Sequence, residues 1–253
     1  MTRLLSHCGR ALALAATLTA TLAGAAQPAV AAPAAPHDAT ALSLTEADVA
    51  ASNAKVRGAY DQLTVMWRDG FAQLGARFVP PDLVRYRGGV RTSCGVMRAG
   101  NASYCLNDNT IYFDEVFVAA QAKDAARALG TDGDMTAVGI IAHEMGHAVA
   151  MQLGHASRAT YRNESTADCL AGAFAQYADR QGSLEAGDLD EAFYGMSRAG
   201  DPTPELTGDQ RVDRAILVRA SVMGHGTDAQ RMQNFRTGLN GGAGACLAEF
   251  RGA

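Results

Sequence analysis

The first long hydrophobic pattern of the chain lies between residues 45 and 74. Apolar side chains recur there at steps of three and four, which predicts one helix with an apolar stripe. Glu46 stands at a helix-start position, and Gly75 ends the pattern. The stripe consists of Val56, Tyr60, Leu63, Trp67, Phe71 and Leu74. We interpret it as core packing and not as a cofactor site.

Shorter patterns follow Pro80-Pro81, which breaks the chain. Extended segments are predicted near Leu83–Tyr86 and Thr110–Asp114. Outside the reactive stretches treated below, helices are predicted over 114–129, 188–198, 210–220 and 228–239. The pattern indicates an α+β fold, mainly helical, with a small twisted sheet. We expect residues 44–253, about 210 residues, to form a single domain with one core.

Another helix is predicted around His143-Glu144-Met145-Gly146-His147. Apolar residues flank this motif on nearly every side, so the helix should be buried in the centre of the fold. Asp132 and Asp134 are expected to cap its N-terminal end, and Gly154 to stop it.

The two histidines of this motif lie four residues apart, so both rings project from one face of a helix. Two imidazoles on one face can bind the same cation, and Glu144 lies beside them, where it can take a proton from a zinc-bound water. The pattern is typical of a zinc hydrolase. A buried helix that merely contains two histidines is the alternative.

A zinc site needs a third protein ligand. A histidine six residues after His147 would suit, but that position is Leu153, and His155 falls past the predicted helix end. Glu164 and Asp168 are better placed, four residues apart on a second helix that Asn163 is expected to cap and that should run to about residue 180, ending before Gly182. We predict Glu164 as the ligand and Asp168 as the partner that orients a histidine ring. The two roles could be exchanged, or both carboxylates could belong to a solvated helix start.

The N-terminus resembles a secretory signal. Arg3 and Arg10 give a positively charged start. An uncharged, moderately apolar run follows from Ala11 to Ala26, and Ala29-Val30-Ala31 fits a cleavage site. We expect residues 1–31 to be removed and residues 32–43 to form a disordered leader. An uncleaved anchor is the competing interpretation. A cleaved signal implies that the mature protein lies outside the cytoplasm of a bacterium and is not stably inserted in the membrane.

Removal of residues 1–31 takes away two arginines and no acid, so the net charge falls from -4 to -6. This acidity argues against a nucleic-acid partner. Cys94, Cys105, Cys169 and Cys246 remain, and an even number in an exported chain indicates two disulfides. Cys94 and Cys105 are close in sequence, which favours that pair and leaves Cys169 with Cys246, although three pairings are formally possible.

These motifs together resemble the bacterial neutral zinc metallopeptidase family, a gluzincin-like group. The resemblance begins with the zinc motif and with Glu164-Ser165-Thr166-Ala167-Asp168-Cys169-Leu170-Ala171-Gly172. It extends to four other stretches, so that it covers roughly residues 76–250: Thr92–Gly95 with Tyr104-Cys105, Ile111–Asp114, Gly208-Asp209, and His225-Gly226-Thr227 with Gln230-Arg231 and Phe235. Ala148 and the stretch Asn101–Leu106 depart from the family pattern.

The resemblance implies a zincin-like fold with one zinc ion per chain in a cleft and a peptide or protein as substrate. It also implies a role for His225, which we predict to stabilise the oxyanion. Tyr112 is a weaker candidate for this role. By analogy with other zincins, the strand Thr110–Asp114 would be an edge strand that pairs with the substrate.

Three functions fit the sequence. An exported zinc endopeptidase with Glu144 as general base is the first. A secreted binding protein that keeps zinc only for stability is the second, but such a protein has no need of Glu144. A zinc hydrolase of cell-wall peptides shares the chemistry and differs in substrate.

Overall fold

The computed structural model describes residues 43–202 and 204–248, which belong to one compact unit. The predicted signal segment 1–31 and nearly all of the leader 32–43 lie outside these residues. In chain order the elements are α1 Glu46–Gln73, β1 Asp82–Tyr86, β2 Gly89–Thr92, β3 Gly95–Arg98, β4 Ala102–Cys105, β5 Thr110–Asp114, α2 Glu115–Leu129, α3 Asp134–Gln152, α4 Thr160–Arg180, α5 Asp188–Arg198, α6 Gln210–Met223 and α7 Asp228–Cys246. The fold is therefore α+β and mainly helical, as expected.

Helix α1 forms one wall of the core. Thr45 and Asp48 make a capping box at its start, because each side chain accepts a hydrogen bond from the other residue's backbone N–H. The predicted stripe is buried from Val56 to Phe71, apart from the partly buried Tyr60, whose hydroxyl donates to Pro81 O. Leu74 was wrongly included: it lies at the C-cap and is 60% exposed.

The sheet has a different arrangement from the one expected. Its strand order is β1-β5-β4, with β1 parallel and β4 antiparallel to β5. Strand β5 is therefore central, and the prediction that Thr110–Asp114 is an edge strand was wrong. Strand β4 is the edge on that side. Strands β2 and β3 form a separate hairpin, which the disulfide Cys94–Cys105 joins to the end of β4.

Helix α3 runs through the centre of the fold, in contact with α1, α2, α4, α5 and the sheet. Ile141, Met145 and Val149 are fully buried on it. The expected caps were wrong, since the N-cap is Gly133 and makes no side-chain cap bond. Instead Glu191 of α5, itself fully buried, accepts hydrogen bonds from the backbone N–H groups of Gly133 and Met135.

The expected N-cap Asn163 was wrong: the N-cap of α4 is Ala159, four residues earlier, and the helix begins at Thr160. Asn163 lies inside its first turn, where its side chain exchanges two hydrogen bonds with the backbone of Ser157. At its other end the helix stops before Gly182, as predicted. Helices α6 and α7 extend past the predicted limits, to Met223 and Cys246.

Helix α7 packs closely on α4. A Cβ on Gly172 would lie 2.0 Å from the Phe235 carbonyl oxygen, and one on Gly238 would lie 1.7 Å from the Cys169 oxygen, so only glycine fits at either position. The disulfide Cys169–Cys246 joins the two helices, which is the second expected pairing. None of the helices in the described ranges is both long and apolar enough to cross a membrane.

Candidate metal centre

The site is formed where α3 and α4 approach each other. Gly146 of α3 faces the backbone of Ala167 on α4, and a Cβ on Gly146 would lie 2.9 Å from both Ala167 Cα and its oxygen. The absence of a side chain at Gly146 lets the helices come this close. Since His143 and His147 flank Gly146 on α3 and Glu164 precedes Ala167 on α4, the approach brings all three predicted ligands together.

Their ligand atoms converge. His143 Nε2 lies 3.1 Å from His147 Nε2 and 3.1 Å from Glu164 Oε2, and His147 Nε2 lies 3.6 Å from Glu164 Oε1. Ligand atoms around a tetrahedral zinc ion with bonds of about 2.0–2.1 Å are about 3.3–3.4 Å apart. The spacing of the three side chains therefore fits one such ion. His155 is not a member of this group.

The protonation pattern of His143 also fits a cation. Its Nδ1 lies 2.8 Å from Asp168 Oδ1, so in the neutral ring the proton is on Nδ1 and the Nε2 lone pair faces Glu164. Two facing lone pairs require a proton or a metal between them. Burial disfavours the charged ring, yet hydrogen bonds to Asp168 and Glu164 raise the pKa of His143 to about 10. A positive charge is strongly favoured at this point.

Arg231 of α7 completes this charge arrangement, and the sequence analysis assigned it no role. Its Nε donates to Asp168 Oδ2 at 3.0 Å and its Nη2 to Oδ1 at 2.6 Å, while Nη1 donates to Ala199 O. Asp168 is fully buried, and burial alone would raise its pKa, but His143 and Arg231 lower it. Asp168 is thus favoured as the carboxylate, with Oδ1 in hydrogen-bond contact with the His143 ring.

Glu144 does not join the three ligands. It is buried, and its Oε2 accepts a hydrogen bond of 2.8 Å from the backbone N–H of Tyr104 on β4. That N–H points away from β5, so the free edge of β4 faces this part of α3. The carboxylate of Glu144 therefore lies between the edge strand and the histidines.

His225 lines the same cleft as His143, His147, Glu144 and Glu164, which has a volume of about 570 Å³. It is largely exposed, with Nδ1 3.4 Å from Asp201 Oδ1. Asp201 Oδ2 also accepts hydrogen bonds from the backbone N–H groups of His225 and Gly226. Tyr112 is not brought to the cleft wall: it lies on central strand β5 and its hydroxyl donates to Asp108.

A second group of acids, Asp132, Asp134, Asp188 and Glu191, lies at the start of α3. Lys55 forms ion pairs with Asp132 and Asp134, and Glu191 is engaged in capping α3. These contacts account for the group as part of the framework that holds α3.

Comparison with known proteins agrees with the resemblance noted in the sequence. Uncharacterized protein YpfJ of Escherichia coli K12 is 33% identical over 192 residues, covering 70% of this chain and 63% of that protein. Uncharacterized protein Rv2575 of Mycobacterium tuberculosis H37Rv is 28% identical over 180 residues, covering 65% of this chain and 60% of that protein. The chain thus spans less than two thirds of these relatives. No solved structure matches.

The family comparison covers far more of the chain. The family described as "Putative neutral zinc metallopeptidase" matches residues 11–250, which include every residue of the cleft discussed above. The chain therefore belongs to this zinc metallopeptidase family.

Proposed function

We propose that this chain is an exported zinc-dependent metallopeptidase that hydrolyses peptide bonds. One observation carries the proposal: Glu144, a carboxylate outside the metal group, shares a cleft with three converging ligand atoms of His143, His147 and Glu164. A metal kept only for stability has no use for such a base. In this interpretation the fold is zincin-like, α3 is the zinc-binding helix, and residues 44–253 are the catalytic domain.

His143, His147 and Glu164 would hold one zinc ion, which when bound supplies a Lewis acid that makes water more acidic and polarises a carbonyl group. Asp168 fixes the ring of His143 through Nδ1, and Arg231 neutralises the buried carboxylate. Glu144 takes a proton from the attacking water and returns it to the leaving amine. Its hydrogen bond from Tyr104 holds the carboxylate in place during both transfers.

His225 would stabilise the negative charge that develops on the carbonyl oxygen. Its Nδ1 lies 3.4 Å from Asp201 Oδ1, and the residue lines the cleft that contains Glu144 and the three ligands. A ring N–H of His225 could therefore donate to the oxyanion, the kind of interaction that contributes most in many hydrolases.

The substrate backbone would pair with the free edge of β4, not with β5. In an antiparallel ladder, N–H and C=O groups of alternate residues point to opposite sides. Since Tyr104 N–H points away from β5, the peptide groups of Ala102 also face the cleft, where Ala102 is part of the lining. An extended peptide could therefore add as a further strand beside Glu144.

Export is supported by the signal-like N-terminus together with the two disulfides, since disulfides persist in oxidising compartments. Fractionation of cells that produce the full chain tests it. We expect the shortened protein outside the cytoplasm, with an N-terminus near residue 32, and a full-length cytoplasmic protein would refute export.

Zinc content and peptide cleavage test the activity. Wild type and Glu144→Ala should both bind one zinc ion, and the variant should lose cleavage of a mixed peptide library by about 10²–10⁴-fold. His225→Ala should retain zinc and lose about 10²–10³-fold in kcat. The enzyme proposal fails if wild type binds zinc but cleaves no peptide, or cleaves only peptides that Glu144→Ala also cleaves. Release of peptides from purified cell wall in a parallel assay would identify that substrate class.

A further inference from the structure

The cleft continues along α3, away from the histidines, where several large apolar side chains line it together with Gln121, Thr136 and Arg198. We call this part the Gly139 pocket and define it by Phe117, Met135, Gly139, Ile140 and Met196. Met135 and Met196 are almost fully buried, and Phe117 and Ile140 pack against the core. The pocket is therefore rigid at its base and apolar on its sides.

Gly139 is the unusual residue of this pocket. It lies inside α3, where glycine is the poorest helix former after proline. It is buried, yet a Cβ built on it meets no atom within 4 Å. Gly146 in the same helix differs, since a Cβ there would meet the backbone of Ala167. Close helix packing explains Gly146, whereas Gly139 leaves open space, and that space belongs to the cleft.

We propose that the Gly139 pocket binds a large apolar side chain of the substrate, of the size of leucine, methionine or phenylalanine, next to the scissile peptide bond. This inference rests on the proposed function, since it names the residue that the peptidase selects. Walls of methionine, phenylalanine and isoleucine favour an apolar side chain, because a charge buried against them would be costly.

The distance of Gly139 from the metal ligands assigns the pocket to a substrate residue beside the scissile bond. Gly139 and His143 lie four residues apart on one face of α3, a rise of about 6 Å. This is about the length of one large side chain.

Cleavage profiles test the proposal. Wild type should cleave peptides with leucine, methionine or phenylalanine at one position flanking the cut about 10–100-fold faster, in kcat/KM, than peptides with glycine there. Gly139→Leu should lose this advantage by a similar factor, so that its kcat/KM for leucine, methionine and phenylalanine peptides approaches its kcat/KM for glycine peptides. Gly139→Ala should lower kcat/KM mainly for the phenylalanine peptides. The matched control is Gly58→Leu, on the exposed side of α1, where a Cβ also meets nothing within 4 Å.

Binding provides a measurement without turnover. On a Glu144→Ala background, N-acetyl-leucinamide should show saturation-transfer NMR signals that N-acetylglycinamide lacks, and Gly139→Leu should abolish them. If the protein cleaves nothing but shows this selective binding, the proposed function fails and the pocket remains. If it cleaves peptides with a profile that residue 139 does not change, or prefers charged or small residues, the pocket assignment is wrong while the peptidase remains. If Gly139→Leu does not fold by circular dichroism, the Gly139→Ala profile decides.

Discussion

Replacement of Gly146 by alanine should separate the two halves of the metal centre. A Cβ at this position would lie 2.9 Å from Ala167 Cα, whereas carbon atoms in contact prefer about 3.5–4.0 Å. The obstacle is backbone, so α4 must retreat by roughly 0.6 Å or more. Glu164 lies one turn before Ala167 and would move with it. Metal ligands tolerate deviations of only about 0.2 Å.

Two effects with opposite signs determine the stability of Gly146→Ala. Alanine in a helix interior gains up to about 1 kcal/mol over glycine. Overpacking of a tight contact costs about 1–3 kcal/mol. We therefore expect a net loss of about 1–2 kcal/mol, and zinc affinity lower by about 10–100-fold, the range found when groups that support a metal site are lost. Competition with a chelator measures the affinity and urea unfolding of the zinc-free protein measures the stability.

Gly139→Ala is the matched control, because it makes the same substitution in the same helix at a position with open space. It should gain up to about 1 kcal/mol and retain its zinc affinity. If Gly146→Ala matches this control in both measurements, the close approach of α3 and α4 does not position Glu164, and the reasoning is refuted.

Three further predictions concern the surroundings of the centre. Glu164→Gln should weaken zinc binding, measured by chelator competition, far more than Asp168→Asn, and the opposite order would exchange ligand and orienting partner. Arg231→Met should lower the free energy of unfolding in urea by about 3–5 kcal/mol, since it removes one partner of the buried ion pair between Arg231 and Asp168; a loss below about 1 kcal/mol would contradict this. Replacement of both Cys169 and Cys246 by serine should cost about 4 kcal/mol, because their disulfide closes a loop with a sequence separation of 77, and an unchanged melting temperature would contradict that estimate.

The helices could be predicted from the sequence because each has a strong local pattern. The stripe on α1 and the glycines that follow α3 and α4 are signals within a few residues of the element that they limit. The same holds for the site: histidines four apart on α3 and carboxylates four apart on α4 need no knowledge of the fold. Local patterns cannot show that these two pairs of residues meet in space. A zinc ion needs three protein ligands, however, and this requirement predicts that they do.

Strand order could not be obtained in this way. Strands β2, β3 and β4 are only four residues long, too short to carry a clear periodic signal. The edge position of Thr110–Asp114 rested on analogy with other zincins. Its central position comes from pairing with β1 on one side and β4 on the other, which depends on the tertiary fold and is not visible in the local sequence.

Helix caps were misassigned for a related reason. Asp132, Asp134 and Asn163 are close to helix starts and have suitable side chains, yet Glu191 caps α3 from α5. A local rule can identify a helix start, but it cannot identify a cap that comes from a distant part of the chain.

The contacts of Arg231 could not be predicted from local patterns either, because its partner Asp168 lies on a distant helix. They also show why helix α7 matters to the chemistry of the site. Four groups alternate in charge along one line when His143 is protonated or bound to a cation: Glu164, His143, Asp168 and Arg231. The first three groups come from α3 and α4. Without a second positive charge beside it, the buried Asp168 carboxylate would destabilise this arrangement. Helix α7 supplies that charge, and its glycine contact and its disulfide with α4 keep it within reach. The helix that contributes no ligand thus determines whether the ligand helices can keep their charges buried.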